Sequence, residues 1–590
     1  MRAPVPDILS AMDDPGAPSP SAAEQPRKPA ARATTLAGAV RAVSGVTLLS
    51  RFGGLARDIV LVRTFGDTVV GSAFSSAFQI PNMFRRLFGE GALSAAFVPE
   101  YTDAVRAGDH DPAGPSAPSA AHPTEADRFA SLVILALGVV TGAITVLVEI
   151  VLFGLLLLTA PNPEQRLSIL LIAIMLPFMP LVCMTAIKAG MLQVHGRFGA
   201  SMSGPLILNT FIIVVGGYCW FTGHLAGAKV AYVLAFATVL SGLTQLLYFA
   251  RLLRPHFRFV RPLIARASAA QDPLAPARPR ARRMLRRFVP VMLGLGTLQL
   301  NAFIDTLISM WPIWVGPTLL GFAYPLDGSS AAIMTFTQRL YQFPLGVFGI
   351  AVATAAFPML SRHAGEPEKF LHTIQRGVRL SLFIGLPASI GLALIRVDAV
   401  SVLFGFGKSG FSSGGLTRSA AVLLGFSVGI WAYSLNHLFT RVFYARGDTR
   451  TPMNVSIAMV AVNLALNLTL IWDYRAMGVP LHLREAGLAW STSLCAMLQT
   501  LILARLSRRF LPPHAMFDRV TVVGCAKVAL AAAVMGLMVW AFLGIWGPRS
   551  TWTQHAVSLG ASVALGGVTF LAAAIALRTH ELRWLFHREA

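Results

Sequence analysis

Apolar runs of about twenty residues recur along the whole of this 590-residue chain. A helix of that length crosses the hydrocarbon core of a bilayer, which is about 30 Å thick. Charged residues make up only 13% of the chain, about half of the roughly 25% that is usual in soluble domains. The sequence therefore predicts an all-α polytopic membrane protein.

Hydropathy predicts about fourteen transmembrane helices, of which the first two are the most polar. Loop charge supports an even number, because residues 251–287 contain eleven arginines and one acid, whereas 311–330 contain no Lys or Arg. Positive loops stay in the cytoplasm, so both termini are expected there. The predicted helices lie near 36–64, 69–104, 128–159, 165–194, 199–222, 226–253, 284–313, 329–360, 374–405, 416–445, 452–473, 484–507, 519–546 and 554–578.

An internal repeat predicts how these helices are grouped. AFQIPNMFRRLFGEGALSAAFVPEY (77–101) resembles TFTQRLYQFPLGVFGIAVATAAFPML (335–360), and MLQVHGRFGASMSGPLILN (191–209) resembles FYARGDTRTPMNVSIAMVAVN (443–463). Both offsets span six helices, an even number, so the copies share one orientation. Parallel repeats of this kind build two lobes with a site between them. We therefore predict two parallel six-helix lobes around a central cavity, plus two C-terminal helices.

The predicted organisation has six parts. They are a disordered cytoplasmic tail (1–35), an N-terminal lobe (36–253), a basic cytoplasmic linker (254–283), a C-terminal lobe (284–507), helices thirteen and fourteen (519–578) and a C-terminal cytoplasmic tail (579–590). Most arginines lie in short loops between apolar runs, where positive charge sets the orientation of the helices. This explains the net charge of +22, so no nucleic-acid partner is expected.

Arginines interrupt the apolar pattern of the first two helices, in SRFGGLARDIVLVRTFG (50–66) and PNMFRRLFGEGA (81–92). A central arginine costs about 2.5–3.5 kcal/mol on membrane-insertion scales, so several of them cannot face lipid. Arginine binds phosphate through two parallel hydrogen bonds and stays charged. The sequence thus predicts a water-filled cavity that binds an anionic, phosphate-bearing ligand through Arg51, Arg57, Arg85 and Arg339.

Three neighbouring charges are predicted to support these arginines. Asp58 follows Arg57 directly and is expected to pair with an arginine and to tune its geometry. Arg86 and Glu90 lie within the second stretch. For Arg86, as for Arg63, anchoring of a helix end is the favoured role.

Gly53 and Gly54 lie amid the arginines. Each glycine lowers helix stability by about 1 kcal/mol relative to alanine. A hinge and close packing against another helix are equally consistent with the pair.

A second polar group is predicted from Asp305 in helix seven and from Asn463 and Asn467 in helix eleven. The asparagines are four residues apart and project from one helix face. With Asp305 they form a candidate Na⁺ or H⁺ site, and hydrogen bonding between helices is an equal alternative. We find no firm metal site, since the histidines and cysteines lack ligand spacing, and we expect no cofactor apart from possible Na⁺ or H⁺ coupling.

These segments resemble the MurJ/MviN family of lipid II flippases, within the multidrug/oligosaccharidyl-lipid/polysaccharide exporter superfamily. The resemblance rests on SRFGGLARDIVLVRTFG, AFQIPNMFRRLFGEGALSAAFVPEY, RLYQFPLGVFGIAVATAAFP and FYARGDTRTP. It implies alternating access, with a lipid-tail groove formed by the last two helices. The family's essential arginines map onto Arg51, Arg57, Arg85 and Arg339. Ser72 and Gln338 stand where many relatives have acids.

The implied function is transport of undecaprenyl-pyrophosphate-linked disaccharide-pentapeptide to the outer leaflet, for cell-wall synthesis. The implied location is the bacterial inner membrane, with lipids and other cell-wall synthesis proteins as neighbours. The alternatives are an exporter of drugs or of another polyprenyl-linked glycan and, with less support, a membrane enzyme that uses polyprenyl phosphates. Such enzymes usually need clustered acids or histidines at a membrane face, which the sequence lacks. No G-x-x-x-x-G-K-[ST] loop is present, which argues against direct use of ATP.

Overall fold

A computed structural model describes most of the chain. Glu90 and the predicted tail 1–35 lie outside the described residues, as do 583–590 of the second predicted tail and part of the predicted linker. The described residues are 36–89, 92–109, 123–223, 227–261, 272–346, 350–406, 410–473, 483–511 and 518–582.

The described residues are almost entirely helical, with one short hairpin, β1 (Thr318–Leu319) and β2 (Phe322–Ala323). Short 3₁₀ turns in the described part of the chain include Ala275–Ala277 and Arg508–Phe510. The α-helices are α1 (Leu36–Phe65), α2 (Val69–Gly89), α3 (Ala92–Asp109), α4 (Glu125–Leu158), α5 (Pro163–Met175), α6 (Phe178–Val194), α7 (Phe198–Ser201), α8 (Gly204–Thr222), α9 (Ala228–Leu253), α10 (Arg278–Trp314), α11 (Ser330–Pro344), α12 (Ile350–Arg362), α13 (Pro367–Leu394), α14 (Arg396–Phe404), α15 (Ser413–Val428), α16 (Ile430–Ala445), α17 (Arg450–Leu470), α18 (Glu485–Ser507), α19 (Arg519–Trp546) and α20 (Trp552–Ala576).

Every predicted helix corresponds to one or two of these elements, which confirms the all-α polytopic fold. Several predicted helices are broken in the middle for identifiable reasons. Pro177 separates α5 from α6, because proline lacks a backbone donor. Gly429 separates α15 from α16 and packs closely, since a Cβ there would lie 2.5 Å from Ser493 Oγ.

Several predicted boundaries differ from the structure. The largest shift at a helix start is that of α13, which begins at Pro367, seven residues before the predicted 374, because proline suits a first helical turn. Helix α10 begins at Arg278, six residues before the predicted 284, because Pro279 suits a first helical turn and Arg280 pairs with Glu125 at 2.8 Å. The last residues of the predicted linker are therefore helical. The predicted tail at 579–590 begins in packed structure, since Glu581 is buried against Arg379.

Ten helical spans among the described residues are long and apolar enough to cross a membrane, judged by length and composition. The four predicted helices that do not meet this criterion lie at 36–64, 69–104, 284–313 and 329–360. They are the first two helices of each repeat, and they carry the arginines and Asp305. Polarity is therefore concentrated at equivalent places in the two repeats.

The same four helices meet between the repeats. Helix α10 packs on α2 and α3, and α11 packs on α2, whereas α1 packs mainly on α8. Helix α19 lies between α13 and α20. We call the side of the bundle where α1 begins and α20 ends the terminal face, and the opposite side the distal face.

On the distal face the first repeat caps two helices of the second repeat. Ser72 Oγ accepts a hydrogen bond of 3.0 Å from the N–H of Ala332, in the first turn of α11. Asp67 accepts hydrogen bonds from the backbone N–H of Ser412 (2.8 Å) and from its hydroxyl (2.5 Å), just before α15. The first N–H groups of a helix have no partner within it, so these contacts satisfy donors that separation of the lobes would expose.

Ionic contacts hold the start of α11 in place within its own repeat. Asp327 accepts hydrogen bonds from Ser329 Oγ (2.6 Å), Arg418 (2.9 Å) and Arg484 (2.6 Å). Burial raises the pKa of Asp327, but these hydrogen bonds outweigh burial and hold its pKa below the usual range. The cluster therefore stays charged at neutral pH and fixes the surface against which Ser72 docks.

We predict that Ser72→Ala destabilises the protein by about 0.5–2 kcal/mol, the usual effect of losing a helix cap, because the Ala332 N–H loses its acceptor. The measurement is the free energy of unfolding in detergent. Ser75→Ala is the matched control, since the Ser75 hydroxyl donates to the Ser72 carbonyl within α2 and, among the described residues, makes no hydrogen bond to the second repeat. Equal destabilisation by the two variants would contradict a capping role.

Candidate functional site

The four arginines that the sequence predicts to bind a phosphate-bearing ligand line one cavity of about 390 Å³ between the two repeats. Its walls come from α1, α2, α8 and α11, together with residues of α6 and α9. Sequence analysis favours helix-end anchoring for Arg86, whereas the structure places this side chain in the cavity wall. The arginines that line the cavity are Arg51, Arg57, Arg85, Arg86 and Arg339.

Asp58 joins two arginines of different repeats. Its Oδ1 accepts hydrogen bonds from Arg57 Nε (2.9 Å) and Nη2 (2.7 Å). Its Oδ2 lies 3.8 Å from Arg339 Nε. Asp58 and Arg57 are both buried, so this carboxylate offsets part of the positive charge of the cavity and links α1 to α11.

Two asparagine amides orient arginines without cancelling their charge. Asn209 Oδ1 accepts from Arg57 Nη1 at 3.1 Å, and its Nδ2 donates to the Ser50 carbonyl at 3.3 Å. Asn82 Oδ1 accepts from Arg85 Nε at 3.0 Å. Sequence analysis missed both. The spacing of three residues between Asn82 and Arg85 places them on one helix face and could have indicated their contact, but nothing local indicates Asn209.

Arg51 reaches across from α1 to the other repeat. A Cβ on Gly346, at the end of α11, would lie 2.8 Å from Arg51 Cζ. The guanidinium therefore occupies space that only glycine leaves open, and Arg51 contacts both repeats.

The Gly53–Gly54 pair lies in an unbroken helix α1. A Cβ on Gly53 would lie 3.4 Å from Asn209 Nδ2, so this glycine brings α1 close to α8. The conformation described here shows the packing role. A hinge at this pair remains a prediction.

An apolar groove of about 440 Å³ adjoins the cavity. Pro387 of α13, Met535 of α19 and Gly566 of α20 contribute to its walls, with residues of α1, α11 and α14. Arg339 lines both spaces. The guanidinium of this residue thus marks the junction between a cationic cavity and an apolar groove.

The Asp305 group is brought together as the sequence predicts. Asn467 Nδ2 donates to Asp305 Oδ1 (2.6 Å) and to Asn463 Oδ1 (3.1 Å), and Ser491 Oγ donates to Asn467 Oδ1. In this conformation the group is a hydrogen-bonded contact between α10, α17 and α18. No set of three His, Cys, Asp or Glu side chains among the described residues could hold a metal ion. A cavity of about 20 Å³ beside Asp305, lined also by Gln338, has room for one water-sized occupant.

Comparison with known proteins agrees with this architecture. The sequence model of the family described as "Lipid II flippase MurJ" matches residues 61–577. The chain belongs to the MurJ family. A Vibrio cholerae relative, described as a probable lipid II flippase MurJ, is 29% identical over 90% of this chain and 94% of its own length. A relative from Rhizobium meliloti with the same description is 32% identical over 74% of this chain and 76% of its own length.

Solved structures support the MurJ fold. The structure described as "Lipid II flippase MurJ, inward closed conformation" aligns with a TM-score of 0.68 and 18% identity, covering 91% of this chain and 98% of that chain. An inward-facing multidrug resistance MATE family transporter of the MOP superfamily aligns with a TM-score of 0.59 and 15% identity, covering 80% and 98%. At these identities the likeness concerns the fold alone.

We predict that Asn209→Asp weakens the binding of inorganic pyrophosphate to the purified protein, because an isosteric carboxylate keeps the hydrogen bond to Arg57 and lowers the charge of the cavity. About 1–2 kcal/mol, or roughly 5–30-fold, is expected for one added charge of the wrong sign in a partly buried site. Isothermal titration calorimetry measures the affinity. The matched control is Asn301→Asp, on α10 outside the cavity lining. Unchanged affinity in Asn209→Asp would show that the amide has only a packing role.

Proposed function

We propose that this chain is a flippase that carries lipid II, an undecaprenyl-pyrophosphate-linked disaccharide-pentapeptide, from the inner to the outer leaflet. The observation that carries the proposal is the position of Arg339, in both the cationic cavity and the apolar groove. A lipid-linked sugar has its diphosphate at the corresponding place, between an apolar tail and a polar head. The names of the MurJ relatives support the same substrate.

Each part of the substrate then has a matching surface. The diphosphate pairs with Arg51, Arg57, Arg85 and Arg339, which remain charged and can each donate two parallel hydrogen bonds. The polyprenyl tail lies along the groove of α13, α19 and α20. The sugar and peptide stay hydrated in the cavity, which avoids the loss of several kcal/mol for each unpaired polar group in hydrocarbon.

We propose that the terminal face is cytoplasmic and that the membrane is the bacterial inner membrane. Helix α9 ends and α10 begins on this face, and the sequence 251–287 is rich in arginine, as cytoplasmic loops are. The hydrogen bonds of Asp67 and Ser72 close the distal face. Opening toward the outer leaflet requires that these contacts break while the lobes rock about the bound substrate. Other cell-wall synthesis proteins are the expected neighbours.

Moving a lipid from one leaflet to the other has a free-energy change close to zero. The direction of transport therefore needs a gradient. We propose that Na⁺ or H⁺ binds at Asp305, whose carboxylate and the nearby Asn463 and Asn467 supply oxygens suited to a small hard cation. Uptake of the cation would compete with the Asn467 hydrogen bond to Asp305 and so bias the contact between α10 and α17. Membrane potential is the alternative drive.

An arginine-lined cavity disfavours the export of cationic drugs, which would be repelled by the guanidiniums. The MATE-like fold is therefore a scaffold shared with transporters of other substrates. Export of another polyprenyl-linked glycan would use the same diphosphate contacts, and binding assays with different head groups separate it from lipid II.

We predict that Arg51→Ala, Arg57→Ala, Arg85→Ala and Arg339→Ala each impair rescue of a bacterium depleted of its lipid II flippase. Loss of one charged hydrogen-bonding partner costs about 1.5–3 kcal/mol, which is roughly 10–150-fold in affinity. Rescue is scored at matched protein levels. Arg254→Ala, an exposed arginine after α9, is the control and should rescue fully. Full rescue by all four cavity variants would refute the arginine site.

We predict that Asp305→Asn abolishes any dependence of transport on sodium or on a pH gradient, because the amide keeps the acceptor for Asn467 but loses the charge. Initial rates in proteoliposomes, with Na⁺ and pH varied on each side, provide the measurement. Ser309→Ala is the matched control, since its hydroxyl bonds to the Asp305 backbone carbonyl and not to the carboxylate. A sodium or pH dependence that persists in Asp305→Asn would place the coupling elsewhere.

A further inference from the structure

A second cavity with cationic walls lies apart from the central one. It has a volume of about 350 Å³ and is bounded by α13, the first turns of α19 and the segment after α20. It shares no lining residue with the arginine cavity or with the apolar groove. Its role is therefore separate from the proposed path of the substrate.

The floor of this cavity is a buried ion pair between one cation and one anion. Arg379 Nε donates to Glu581 Oε1, and both side chains are buried. A Cβ on Gly524 would lie 2.6 Å from Arg379 Nε, so glycine is required for α19 to pass over this pair. The floor carries no net charge. The residues at the rim of the cavity therefore determine the charge of the ligand that it binds.

The rim carries three cations. Arg519 and Lys527 come from one face of α19, eight residues apart, and Arg578 follows α20. In the part of the chain that the structure describes, none of the three has an acidic partner. Arg578 also has a left-handed backbone, with φ of 50°, at a helix end where glycine is usual. A large cationic side chain thus stands where backbone preference alone would select glycine.

The depth of the rim matches the phosphate layer of a leaflet. Trp546 ends α19 on the distal face, where tryptophan marks the membrane interface. Lys527 and Trp546 are separated by about 28 Å along the axis of α19. This distance is close to the thickness of the hydrocarbon core, which is roughly 30 Å. Arg519 lies about 12 Å farther out. The interval between Arg519 and Lys527 therefore spans the head-group layer of the terminal face.

The outer wall is apolar. Val520 and Val523 line the cavity, and their side chains are 63% and 45% exposed. Exposed valines beside cations form a surface that suits an amphiphile better than a free ion. The preference of cytoplasmic loops for Lys and Arg explains why cations are frequent on this face. It does not explain why three of them converge on one cavity.

We propose that this cavity binds one anionic phospholipid of the leaflet on the terminal face. Its phosphate lies among Arg519, Lys527 and Arg578, with its glycerol backbone beside Val520 and Val523. Its chains extend past Lys527 into the hydrocarbon, along exposed apolar residues of α19 such as Leu530 and Val534. A head group with a net negative charge is favoured, because the three cations would repel the ammonium of a zwitterionic lipid. The bound lipid would tie α19 and α20 to α13 at this face.

The test uses the purified full-length chain in neutral detergent and counts bound lipid by native mass spectrometry during titration. Phosphatidylglycerol is expected to bind more tightly than phosphatidylcholine with the same chains, and glycerol phosphate is expected not to compete. The triple variant Arg519→Gln/Lys527→Gln/Arg578→Asn should bind phosphatidylglycerol roughly 100-fold more weakly, since each cation near an anionic lipid contributes about a fivefold factor. Asparagine is chosen at 578 because it tolerates the left-handed backbone.

The matched control, Arg251→Gln/Arg254→Gln/Arg508→Gln, removes the same charge from exposed arginines outside the cavity and should keep nearly full affinity. Equal losses in the two triple variants would reduce the effect to general surface charge and overturn the site. Displacement of phosphatidylglycerol by polyprenyl diphosphate, dependent on the same three residues, would overturn the choice of lipid. If the triple variant unfolds, Lys527→Gln alone should show about a fivefold loss, and no loss would refute the proposal.

Discussion

A guanidinium held at bilayer depth must be hydrated, paired or bound to an anion, because exposing it to lipid costs several kcal/mol. This constraint organises the rest of the structure. Among the described residues, the four predicted helices that fall short of the criterion for crossing a membrane, by length or by composition, meet between the repeats. Three of them line the central cavity. The ten described spans that meet the criterion contain none of the arginines that line this cavity. The cost of exposing charge to lipid thus explains why the charged helices lie at the cavity and why the other helices are apolar.

The arginines of the central cavity have two kinds of partner, a carboxylate and amides. Asp58 contacts two of its arginines, while Asn82 and Asn209 hold Arg85 and Arg57 through amide oxygens. A carboxylate at each of these positions would lower the net charge of the five arginines and Asp58 from +4 to +2. Amides fix the direction of the guanidiniums at no cost in charge. A site built this way is preorganised for a polyanion and unattractive to cations.

The sequence predicts the fold well because membrane helices are encoded locally, by length and apolarity. It also predicts the main arginines, since charges stand out in an apolar helix. The breaks at Pro177 and Gly429 are weaker signals in a long apolar run. Asn209 could not be found, because it meets Arg57 only after segments 152 residues apart pack together. The same holds for Asp67 and Ser412, which are 345 residues apart.

The two cationic cavities differ in a way that bears on motion. The central cavity takes its walls from α1, α2 and α8 of one repeat and from α11 of the other, so its shape must change when the repeats move apart. The peripheral cavity is built from α13, α19 and the segment after α20, with α19 packed between α13 and α20. None of its lining residues comes from the first repeat. Of these two cavities, only the central one takes walls from both repeats, so it is the one whose shape must change if the lobes rock as proposed.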